Sequence, residues 1–591
     1  MPSGLPATMV EAFQNISKIE PGAVAIRTVR DAVAITWREY ADRVEAYAGG
    51  LSGLGLRRGD TLAIMLTNRP EFHLVDTAAI HLGATSFSVY NTSSPEQIAF
   101  LLGNAEARVV VTETVFVEVL RASGAEFDHM IVVDDAPEGT IPLAQLPDRA
   151  PADFDFEASW RAVIPDDVCT LIYTSGTTGN PKGVELTHAN LVAECATYSQ
   201  VVEGGFGDRV MSYLPSAHIA DRLSSHYLQM THGMQTTDVN DLRALAEALQ
   251  YVRPNTFLAV PRVWDKLRFK IESAIKDAES PIKRRLGTGA LAIARKRAAA
   301  LEAGTSLRAH EELLWRVADK VVLSKVRATL GFGDLRFGLS GAAAISPDTL
   351  RFFAALGVEI CEVWGMSETT AGTTINPPGE ARIGTVGKPV PAVEVKLGDD
   401  GELFVRGAVV MRGYRKEPAK TAEVLDADGW LATGDIATID DDGYVSIVDR
   451  KKELIISASG KNMSPSNIEN TLKSQIPVAF SVVVVGDGRP YNVALVVLDP
   501  EAAAEVAAKA GRPTTDAAEL AKDEAVLKIV EAGIAAGNAR LSRVEQVKEY
   551  KVLPVFWLPG GDELTPTLKL RRKPIDAKYD VEIEKLYGGQ R

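Results

Sequence analysis

The sequence predicts an α/β protein with a large N-terminal domain and a smaller α+β C-terminal domain, and three observations support this. Short apolar runs alternate with helical segments between residues 23 and 263, which is typical of a parallel sheet. The chain has 591 residues, whereas a single hydrophobic core stops growing at roughly 250–300 residues. After Gly401 the pattern changes to short strand segments separated by tight turns. Two or more domains are therefore expected.

The individual elements follow from apolar runs and helix caps. Four apolar runs predict buried strands: residues 61–66, 108–112, 130–133 and 170–173. Helices are predicted over residues 38–54 and 95–104, where Thr36 and Ser93–Ser94 are plausible N-caps. The sequence pattern changes near Asp449, which predicts a domain boundary there, with domains at residues 1–448 and 449–591.

Residues 265–329 differ from their surroundings. They are rich in Ala, Lys, Arg and Glu and nearly continuous in helix-forming residues, apart from breaks at Ser280–Pro281 and Gly304. This composition predicts a helical insertion within the N-terminal domain. A lid over a binding site and a solvated hairpin without a role are equally favoured interpretations.

Composition excludes several function classes. Lys and Arg number 64 against 78 Asp and Glu, a formal net charge of -14, and a chain this acidic is a poor nucleic-acid binder. The three cysteines are far apart and form no CxxC pair, so neither a disulfide framework nor a zinc site is predicted. The chain has no signal-peptide pattern at its start and no apolar stretch near the roughly 18 residues of a membrane span. We expect a cytoplasmic protein; peripheral membrane contact and an oligomer stay open.

The segment with the clearest chemistry is YTSGTTGNPKGV, residues 173–184. Its glycines allow tight turns and close approach of the backbone to a ligand, and its hydroxyls and lysine can donate to phosphate oxygens. It is not a Walker A loop, because Gly183 follows Lys182 where that motif has Ser or Thr. A Gly- and Thr-rich surface turn is the alternative interpretation, but twelve residues of this composition favour a polyphosphate site.

Six further segments carry candidate functional residues: LPSAHIADR (214–222), SGAAAI (340–345), WGMSET (364–369), TGD (433–435), DRKKELIISASGKNMS (449–464) and LTPTLKLRRK (564–573). Each has an ordinary structural interpretation when it is taken alone. His218 could be a satisfied core histidine, SGAAAI close packing of a strand and a helix, and Glu368, Asp435 and Lys569 solvated charges.

Together with the phosphate loop, these segments resemble the motifs of the adenylate-forming superfamily, which includes acyl-CoA synthetases, luciferases and peptide-synthetase adenylation domains. The resemblance covers nearly the whole chain and keeps the family's motif order. It implies an adenylate-forming N-terminal domain, a mobile C-terminal domain, and ATP, Mg²⁺ and coenzyme A as cofactor and substrates. The implied reaction joins a carboxylic acid to AMP and then to the thiol of coenzyme A.

The resemblance also implies residue roles. The implied catalytic residues are Lys569, His218 and Lys182. The implied nucleotide, ribose, hinge and coenzyme A positions are Thr174, Ser175, Gly176, Thr177, Thr178, Gly179, Ser340, Gly341, Ala342, Glu362, Trp364, Gly365, Ser367, Asp435, Arg450, Lys452, Gly460 and Lys461. Thr174 and Glu368 are implied near Mg²⁺, which prefers hard oxygen ligands.

The chain departs from the usual family pattern at two positions. Trp364 stands where Tyr is common, and Leu568 where many relatives have Gly. The helical insertion, the GKNMSP segment and LTPTLKLRR resemble long-chain fatty acyl-CoA synthetases, so we expect a medium- to long-chain fatty acid as substrate. Two alternatives stay open at this point: an acyl-AMP ligase that loads a carrier protein, and a nucleotide-binding regulator without enzymatic activity.

Overall fold

The computed structural model describes residues 5–174, 180–202, 204–458, 461–565 and 568–588. Its strands are β1 (Val24–Thr28), β2 (Ala34–Thr36), β3 (Thr61–Met65), β4 (Thr85–Ser88), β5 (Ala107–Thr112), β6 (His129–Val132), β7 (Ile141–Pro142), β8 (Val168–Thr174), β9 (Lys182–Thr187), β10 (Arg209–Ser212), β11 (Gln235–Asp238), β12 (Thr256–Ala259) and β13 (Phe337–Ser340). The strands that follow are β14 (Ile360–Trp364), β15 (Thr374–Ile375), β16 (Lys388–Pro389), β17 (Val393–Leu397), β18 (Glu402–Gly407), β19 (Gly413–Tyr414), β20 (Leu431–Ile439), β21 (Val445–Arg450), β22 (Ile455–Ile456), β23 (Asn462–Met463), β24 (Ala479–Val485), β25 (Asn492–Leu498) and β26 (Val547–Val552).

The α-helices up to the middle of the chain are α1 (Met9–Ile16), α2 (Trp37–Gly53), α3 (Pro70–His81), α4 (Pro95–Ala105), α5 (Thr114–Ala122), α6 (Phe156–Arg161), α7 (His188–Val201), α8 (Ile219–Asp221), α9 (Leu228–His232), α10 (Leu245–Val252), α11 (Pro261–Lys276) and α12 (Pro281–Glu302). The later ones are α13 (Ala309–Ala318), α14 (Ser324–Thr329), α15 (Pro347–Ala355), α16 (Pro418–Ala422), α17 (Pro465–Lys473), α18 (Pro500–Lys509), α19 (Ala517–Leu520), α20 (Glu524–Asn538), α21 (Arg572–Lys578) and α22 (Asp580–Leu586). Two π-helical segments, Arg222–Tyr227 and Asp319–Leu323, connect α8 to α9 and α13 to α14.

The strands and helices predicted from sequence are confirmed, and local hydrogen bonds explain where two of the helices begin. Thr36 accepts a hydrogen bond from the Glu39 backbone, and Glu39 bonds back to Thr36, which forms a capping box at the start of α2. Ser94 and Gln97 form the same arrangement before α4. Both caps satisfy backbone donors that have no partner within the helix.

The largest sheet has eight strands in the order β19-β9-β8-β4-β3-β5-β6-β7. The strands from β8 to β7 pair in parallel, whereas β8, β9 and β19 pair antiparallel at one edge. A second sheet has the order β12-β13-β14-β15-β16, and β12, β13 and β14 pair in parallel. The expected parallel α/β architecture is therefore present. It brings the carboxyl ends of β13 and β14 to one edge of the second sheet.

The predicted helical segment is confirmed as helical, and α11 begins at Pro261, four residues before the predicted start. Helices α11, α12, α13 and α14 follow one another between residues 261 and 329. Their lid role stays a prediction. Among the described residues, none of the helices combines the length and the apolar character needed to cross a bilayer.

The C-terminal region, residues 449–588, forms hydrophobic cores of its own. One packs Ile468, Leu472 and Val530 with the inner face of β24 and β25, and the other packs Trp557 and Ile575 against the opposite face. The predicted boundary before Asp449 falls inside β21, which pairs with β20 on the N-terminal side. The residues of the C-terminal cores begin only at Ile455. The boundary itself stays a prediction.

Charged residues on and just after α11 face the C-terminal region, and we call these pairs the α11 ion-pair face. The face comprises Arg262–Asp499 at 3.1 Å, Lys266–Glu501 at 2.6 Å, Asp265–Lys473 at 3.9 Å and Asp277–Lys509 at 3.1 Å. The Arg262 guanidinium also lies 3.7 Å from the centroid of the Phe480 ring. Next to this face, Asp348 at the start of α15 pairs with Arg540 and accepts a hydrogen bond from Gln475. These contacts hold the C-terminal region against the helical segment.

Candidate functional site

The phosphate loop connects two antiparallel strands. Thr174 at the end of β8 lies opposite Lys182 at the start of β9. The predicted contacts of Ser175, Gly176, Thr177, Thr178 and Gly179 lie outside the described residues. The Lys182 ammonium lies 4.0 Å from the centroid of the Tyr414 ring, and the Tyr414 hydroxyl donates a hydrogen bond to Glu368 Oε1 at 2.8 Å. Tyr414, which sequence analysis did not identify, therefore connects the loop's lysine to the predicted metal-binding carboxylate.

Glu368 lies in a tight helical turn, Ser367–Thr369, directly after β14. It is 6% exposed. The turn depends on Gly365, because a Cβ there would lie 1.5 Å from the Ala371 carbonyl oxygen. One oxygen of Glu368 accepts from Tyr414, and the other accepts no hydrogen bond from a described residue. The second Glu368 oxygen and the Thr174 hydroxyl, at the end of the β8–β9 hairpin, are hard oxygen ligands. Such ligands suit a Mg²⁺ ion that also binds nucleotide phosphates.

The predicted adenine segment lies at the carboxyl ends of β13 and β14. Ser340 pairs with Glu362 across the two strands, and its buried hydroxyl has no hydrogen-bond partner among the described residues. Gly341 follows, then Ala342 with φ of 69°, a left-handed conformation that turns the chain sharply. Burial raises the pKa of Glu362 to about 8. At neutral pH this carboxyl is therefore protonated and can donate a hydrogen bond.

Asp435 and Arg450 lie opposite each other on β20 and β21. Arg450 Nε is 2.7 Å from Asp435 Oδ1, and the Trp364 indole N–H donates to Asp435 Oδ2 at 2.9 Å. Burial raises the pKa of Asp435, whereas Arg450 and the Trp364 hydrogen bond act in the opposite direction. Trp364, at the position where Tyr is common in the family, thus has a specific polar contact. The indole of Trp can only donate a hydrogen bond, whereas the phenol of Tyr could also accept one.

His218 is the N-cap residue of α8, and its Nδ1 accepts a hydrogen bond from the Ala220 backbone N–H at 3.0 Å. Burial, together with the charge of Lys569, lowers the pKa of His218 to about 4. The imidazole is therefore neutral at physiological pH. Since Nδ1 accepts, the ring proton is on Nε2, which is the nitrogen left to donate to a ligand.

Lys569 lies in a turn closed by its own backbone, where its N–H donates to Thr565 Oγ1 at 3.0 Å and its carbonyl accepts from the Thr565 N–H at 2.8 Å. Leu568 precedes it with φ of 64°, a left-handed conformation that glycine adopts most readily. Leu568 therefore occupies a position where a residue with a side chain has a higher backbone conformational energy than glycine. The turn presents Lys569 to the cleft between the two regions.

The electrostatic environment of Lys569 identifies its neighbours. Loss of hydration and the charge of Arg450 lower its pKa, whereas three carboxylates raise it: Asp435, Glu368 and Glu453. Together with its interaction with His218, this brings five predicted site residues to one cleft: Lys569, His218, Asp435, Arg450 and Glu368. The five come from both regions of the chain.

Arg572 anchors the segment that carries Lys569. Its guanidinium donates to both oxygens of the buried Glu469 at 2.7 Å and 2.9 Å, and to Glu453 at 3.2 Å. The LTPTLKLRRK segment includes Arg572, but sequence analysis did not identify either carboxylate. An acidic residue in α17 gives no local signal of a partner about a hundred positions away.

Lys452 and Lys461 are not part of the cluster around Lys569. Lys452 is exposed in the turn after β21. Lys461 is exposed in the turn before β23, where its N–H donates to Ser457 Oγ at 3.1 Å. Within the described part of the chain, neither side chain forms an ion pair or hydrogen bond with the residues around Lys569. Gly460 lies outside the described residues.

A small cavity of about 20 Å³ lies among β10, β12, β13, α7, α9 and the π-helical segment Arg222–Tyr227, which follows the His218 loop, residues 214–218. Its lining is mostly apolar: Tyr198, Val210, Met211, Ser224, Leu228, Thr256, Phe257, Leu258 and Leu339. A space of this size holds about one water molecule. An apolar chain could occupy it only after these side chains move apart.

Comparison with known proteins identifies the family of this chain. The model of the AMP-binding enzyme family matches residues 13–415, and the model of the AMP-binding enzyme C-terminal domain matches residues 452–591. The chain belongs to the AMP-binding enzyme family. Its predicted membership of the adenylate-forming superfamily is thereby confirmed.

Relatives within the AMP-binding family extend over most of the chain. A Mycobacterium tuberculosis protein named fatty-acid–CoA ligase fadD11 is 53% identical over 453 residues, which cover 76% of this chain and 79% of the relative. The long-chain-fatty-acid–CoA ligase FadD15 of Mycobacterium bovis is 35% identical over 570 residues, 94% of this chain and 92% of the relative. The adenylation domain of a carboxylate reductase from Mycobacterium chelonae has the same fold, with a TM-score of 0.77, 22% identity and coverage of 99% and 91% of the two chains.

Proposed function

We propose that this AMP-binding enzyme activates a medium- to long-chain fatty acid with ATP and transfers the acyl group to coenzyme A. In the first step a carboxylate oxygen attacks the α-phosphorus, which gives acyl-AMP as the bond to pyrophosphate breaks. In the second step the coenzyme A thiol attacks the acyl carbon and loses its proton, while AMP leaves. The observation that carries the proposal is the convergence of Lys569, His218, Asp435, Arg450 and Glu368 at one cleft. The fatty-acid–CoA ligase names of the relatives support the substrate and the acceptor.

In the first step, the chain supplies positioning and positive charge. The Lys569 ammonium bridges the carboxylate and the α-phosphate, where negative charge accumulates in the transition state. Asp435 accepts from the ribose hydroxyls and is held in place by Trp364 and Arg450. Lys182 binds the β- and γ-phosphates at the mouth of the hairpin. Glu368 and Thr174 would hold Mg²⁺, which would neutralise phosphate charge when ATP is bound.

Two further side chains complete the proposed nucleotide and acyl positions. The neutral His218 donates from Nε2 toward the acyl carboxylate, because its other nitrogen is occupied by the Ala220 N–H. Glu362, protonated at neutral pH, donates to a nitrogen of adenine. The segment from Ser340 to Ala342, together with Trp364, Gly365 and Ser367, forms the walls of the adenine pocket.

In the second step, we propose that the C-terminal region rotates about Lys452. The arrangement around Lys569 suits the first step, and the turn with Gly460 and Lys461 is proposed to line the path of coenzyme A after rotation. Lys452→Pro would hold φ near about -65° and remove a backbone donor. We expect acyl-AMP formation to continue while thioester formation falls by a much larger factor. Equal losses in the two half-reactions would contradict a hinge at this position.

Chain length is tested by pyrophosphate release across a series of fatty acids. Each buried CH₂ contributes about 0.8 kcal/mol, so we expect kcat/KM to be higher for acids of about twelve or more carbons than for acetate. The apolar cavity lined by Phe257 holds about one water molecule in the present arrangement, so it gives no room for such a chain. Phe257→Ala would enlarge it and should shift the preference toward longer chains if the acyl chain enters there. Acetate or benzoate turnover equal to that of the long acids would contradict the substrate class.

The acceptor is tested in the same assay. Parent protein, fatty acid and Mg²⁺-ATP are combined with either coenzyme A or a phosphopantetheinyl carrier protein, and thioester is measured by mass spectrometry. We expect thioester with coenzyme A. Thioester on the carrier alone would contradict the acceptor while leaving adenylation intact.

We further propose that the surface of α12, α13 and the π-helical segment after α13 contacts anionic membranes, where fatty acids partition. Four large apolar side chains there are 47–64% exposed: Leu313, Leu314, Val317 and Val321. Residues 281–329 contain eleven Lys or Arg and four Asp or Glu, in a chain of net charge -14. Exposed apolar residues next to basic ones are typical of helices that bind a bilayer surface.

Sedimentation with vesicles tests the membrane contact. We expect the protein to bind phosphatidylcholine vesicles containing phosphatidylglycerol more strongly than pure phosphatidylcholine vesicles. Leu313→Ser with Val317→Ser should abolish binding, whereas Leu242→Ser, which replaces another exposed leucine, should not. Equal binding by both variants would contradict this surface assignment.

A further inference from the structure

Five charged or titratable side chains form a buried cluster behind the His218 loop. They are His73 and Asp76 on α3, Arg222 and His226 in the π-helical segment, and Asp238 on β11, each at most 3% exposed. We call them the buried charge cluster. A buried charge is costly unless it is paired and hydrogen-bonded. Arg222 is the last residue of the LPSAHIADR segment, whereas the other four lie outside the segments that carry candidate functional residues.

Arg222 connects the cluster to the His218 loop. Its guanidinium donates to Asp76 Oδ2 at 2.7 Å, to Ser88 Oγ at 3.1 Å and, through Nε, to the Ser216 carbonyl at 3.0 Å. Ser216 lies two residues before His218, and its hydroxyl is 3.3 Å from that of Ser88. Displacement of Arg222 would therefore release the backbone that positions His218.

The other four members form a linear chain of three hydrogen bonds. Asp76 Oδ1 is 3.0 Å from His226 Nε2, His226 Nδ1 is 3.0 Å from His73 Nδ1, and His73 Nε2 is 3.1 Å from Asp238 Oδ1. Each contact needs one proton, because two acceptors at this separation repel each other. Two neutral imidazoles supply only two protons. Three contacts need three protons, and two ionised carboxylates supply none. One of the four side chains therefore carries one additional proton.

The surroundings indicate which end holds the extra proton. Asp76 also accepts from Arg222 and from Ser86 Oγ at 2.5 Å, which favours its ionised form. Asp238 Oδ2 is buried without a hydrogen-bond partner among the described residues, and burial raises the pKa of this carboxyl. Burial lowers the pKa of His226 to about 4. The extra proton thus lies at the His73–Asp238 end, and the cluster is neutral overall.

We propose that the buried charge cluster, with one extra proton at its Asp238 end, is a positioning device that holds the His218 loop for adenylation. The protonated Asp238 donates to His73, His73 donates to His226, and His226 donates to Asp76. Asp76 is then oriented to hold Arg222 and, through it, the Ser216 carbonyl. This inference rests on the proposed function only where it names adenylation.

Other titratable groups face the cluster from the surrounding elements. Tyr40 on α2 donates to the His73 carbonyl and therefore accepts from the Thr77 hydroxyl. Tyr227 bonds to Arg222, and Asp221 accepts from Ser212, Ser225 and the Leu214 N–H. Burial raises the pKa of Asp221 to about 7. Glu71 and Cys169 also interact electrostatically with Asp238 and Asp76, respectively. A pH experiment on the cluster therefore needs a variant that distinguishes the titration of Asp238 from that of Asp221.

Asp238→Asn is that variant. The Asn amide can donate to His73 Nε2 as the protonated carboxyl does, but it cannot lose the proton. We expect Asp238→Asn to keep most of the adenylation rate. Asp76→Asn removes the counter-charge of Arg222, and we expect adenylation kcat to fall on the order of tenfold to a hundredfold with little change in the KM for ATP. If Asp238→Asn loses as much as Asp76→Asn, the proton assignment is wrong.

Ser88→Ala provides a milder test in case Asp76→Asn does not fold. It removes one hydrogen bond to Arg222 and the contact with Ser216. We expect a several-fold loss of adenylation kcat, again with an unchanged KM for ATP. The matched control is Thr112→Ala, which deletes a buried hydroxyl that donates to the Met65 carbonyl in the same sheet. Equal rates for Ser88→Ala and Thr112→Ala would overturn the positioning role.

Urea unfolding at several pH values tests the proton without using activity. The folded cluster holds a proton that the unfolded chain, with ordinary Asp and His pKa values, has lost above about pH 7. The folding equilibrium constant of the parent should therefore fall by up to about tenfold per pH unit above that pH. Asp238→Asn should show a smaller fall, and identical slopes would overturn the extra proton. If the parent forms no acyl-AMP, the proposed function fails, whereas this measurement still tests the cluster.

Discussion

The buried charge cluster and the α11 ion-pair face both join distant parts of the chain through charged side chains, but their surroundings differ. Arg222 and Asp76 are 0% exposed, whereas Lys266 and Glu501 on the α11 face are 46% and 64% exposed. Water competes for the exposed charges of the α11 face, such as Lys266 and Glu501, and salt screens them. Inside the cluster, each lost partner leaves a buried charge without compensation.

This difference matches two mechanical roles. A surface that must separate and re-form during a catalytic cycle needs contacts that are weak individually, and exposed ion pairs contribute about 0–1 kcal/mol each. A loop that must stay in place needs contacts that cannot be replaced by water. The α11 face accordingly suits a C-terminal region that moves, and the cluster suits a His218 loop that does not. The predictions below test this contrast, beginning with the largest effect.

Arg222→Met should be the most destabilising of these changes. It leaves Asp76 buried without its cation, and we expect a loss of about 3–5 kcal/mol in the free energy of unfolding, measured by urea denaturation. Lys266→Met removes a cation of similar length from the α11 face and should cost about 0–1 kcal/mol. Similar losses in the two variants would contradict the contrast between the two regions.

Lys569→Ala should separate the two half-reactions. In the proposed function the lysine stabilises charge that develops as the carboxylate attacks phosphorus, so adenylation should fall on the order of a hundredfold, as for loss of an oxyanion donor. Pre-formed acyl-AMP and coenzyme A should still give thioester near the parent rate, measured by quenched flow. Lys573→Ala, an exposed lysine in the same tail, is the control and should change neither rate. Collapse of both half-reactions would make Lys569 structural.

Glu362 extends the comparison to a buried carboxyl whose pKa is raised by burial alone. Its folded-state pKa of about 8 exceeds the ordinary value of 4.5, so stability is lost as pH rises from 4.5 to 8. Glu362→Gln should therefore be more stable than the parent at pH 8, on the order of 1–3 kcal/mol, and similar at pH 4.5. Thermal unfolding at both values measures this. Glu118→Gln, at an exposed site, should show no such difference.

A charge exchange on the α11 face should give the smallest effect. Glu501→Lys opposes Lys266 and should lower adenylation by a few-fold, which corresponds to about 0.5–1 kcal/mol for an exposed pair. Lys266→Glu combined with Glu501→Lys should restore most of the rate at low salt. Thioester formation from acyl-AMP should not decrease in either variant. A double variant as slow as the single one would show that this pair does not support the adenylation arrangement.

The elements that sequence analysis located correctly depend on short-range interactions. The capping boxes at Thr36 and Ser94 are each completed within four residues. The phosphate loop is recognised from twelve consecutive residues. The strand expected before it, β8, ends at Thr174, the second residue of that segment. The predicted roles of Lys569, Asp435 and Arg450 came from motif order, and in the structure the three side chains interact electrostatically.

Several contacts that hold the site were not visible in the sequence. Tyr414 joins Lys182 to Glu368 from an edge strand more than two hundred residues after the phosphate loop. Glu453 and Glu469 anchor Arg572 from separate elements. The Trp364 indole, which stood out only as a departure from the family pattern, donates to Asp435. In each case the partner is an ordinary residue whose importance comes from proximity alone.

The sequence by itself determined the fold class, the secondary structure around the caps, the motif order and the family, because these depend on local hydrogen bonds, periodicity and residue spacing. Only the tertiary structure decided which charges are buried and paired. His73, Asp76, Arg222, His226 and Asp238 lie up to 165 positions apart in the chain, and their protonation depends on desolvation and on partners across space. These properties arise only when α3, β11 and the π-helical segment Arg222–Tyr227 pack together.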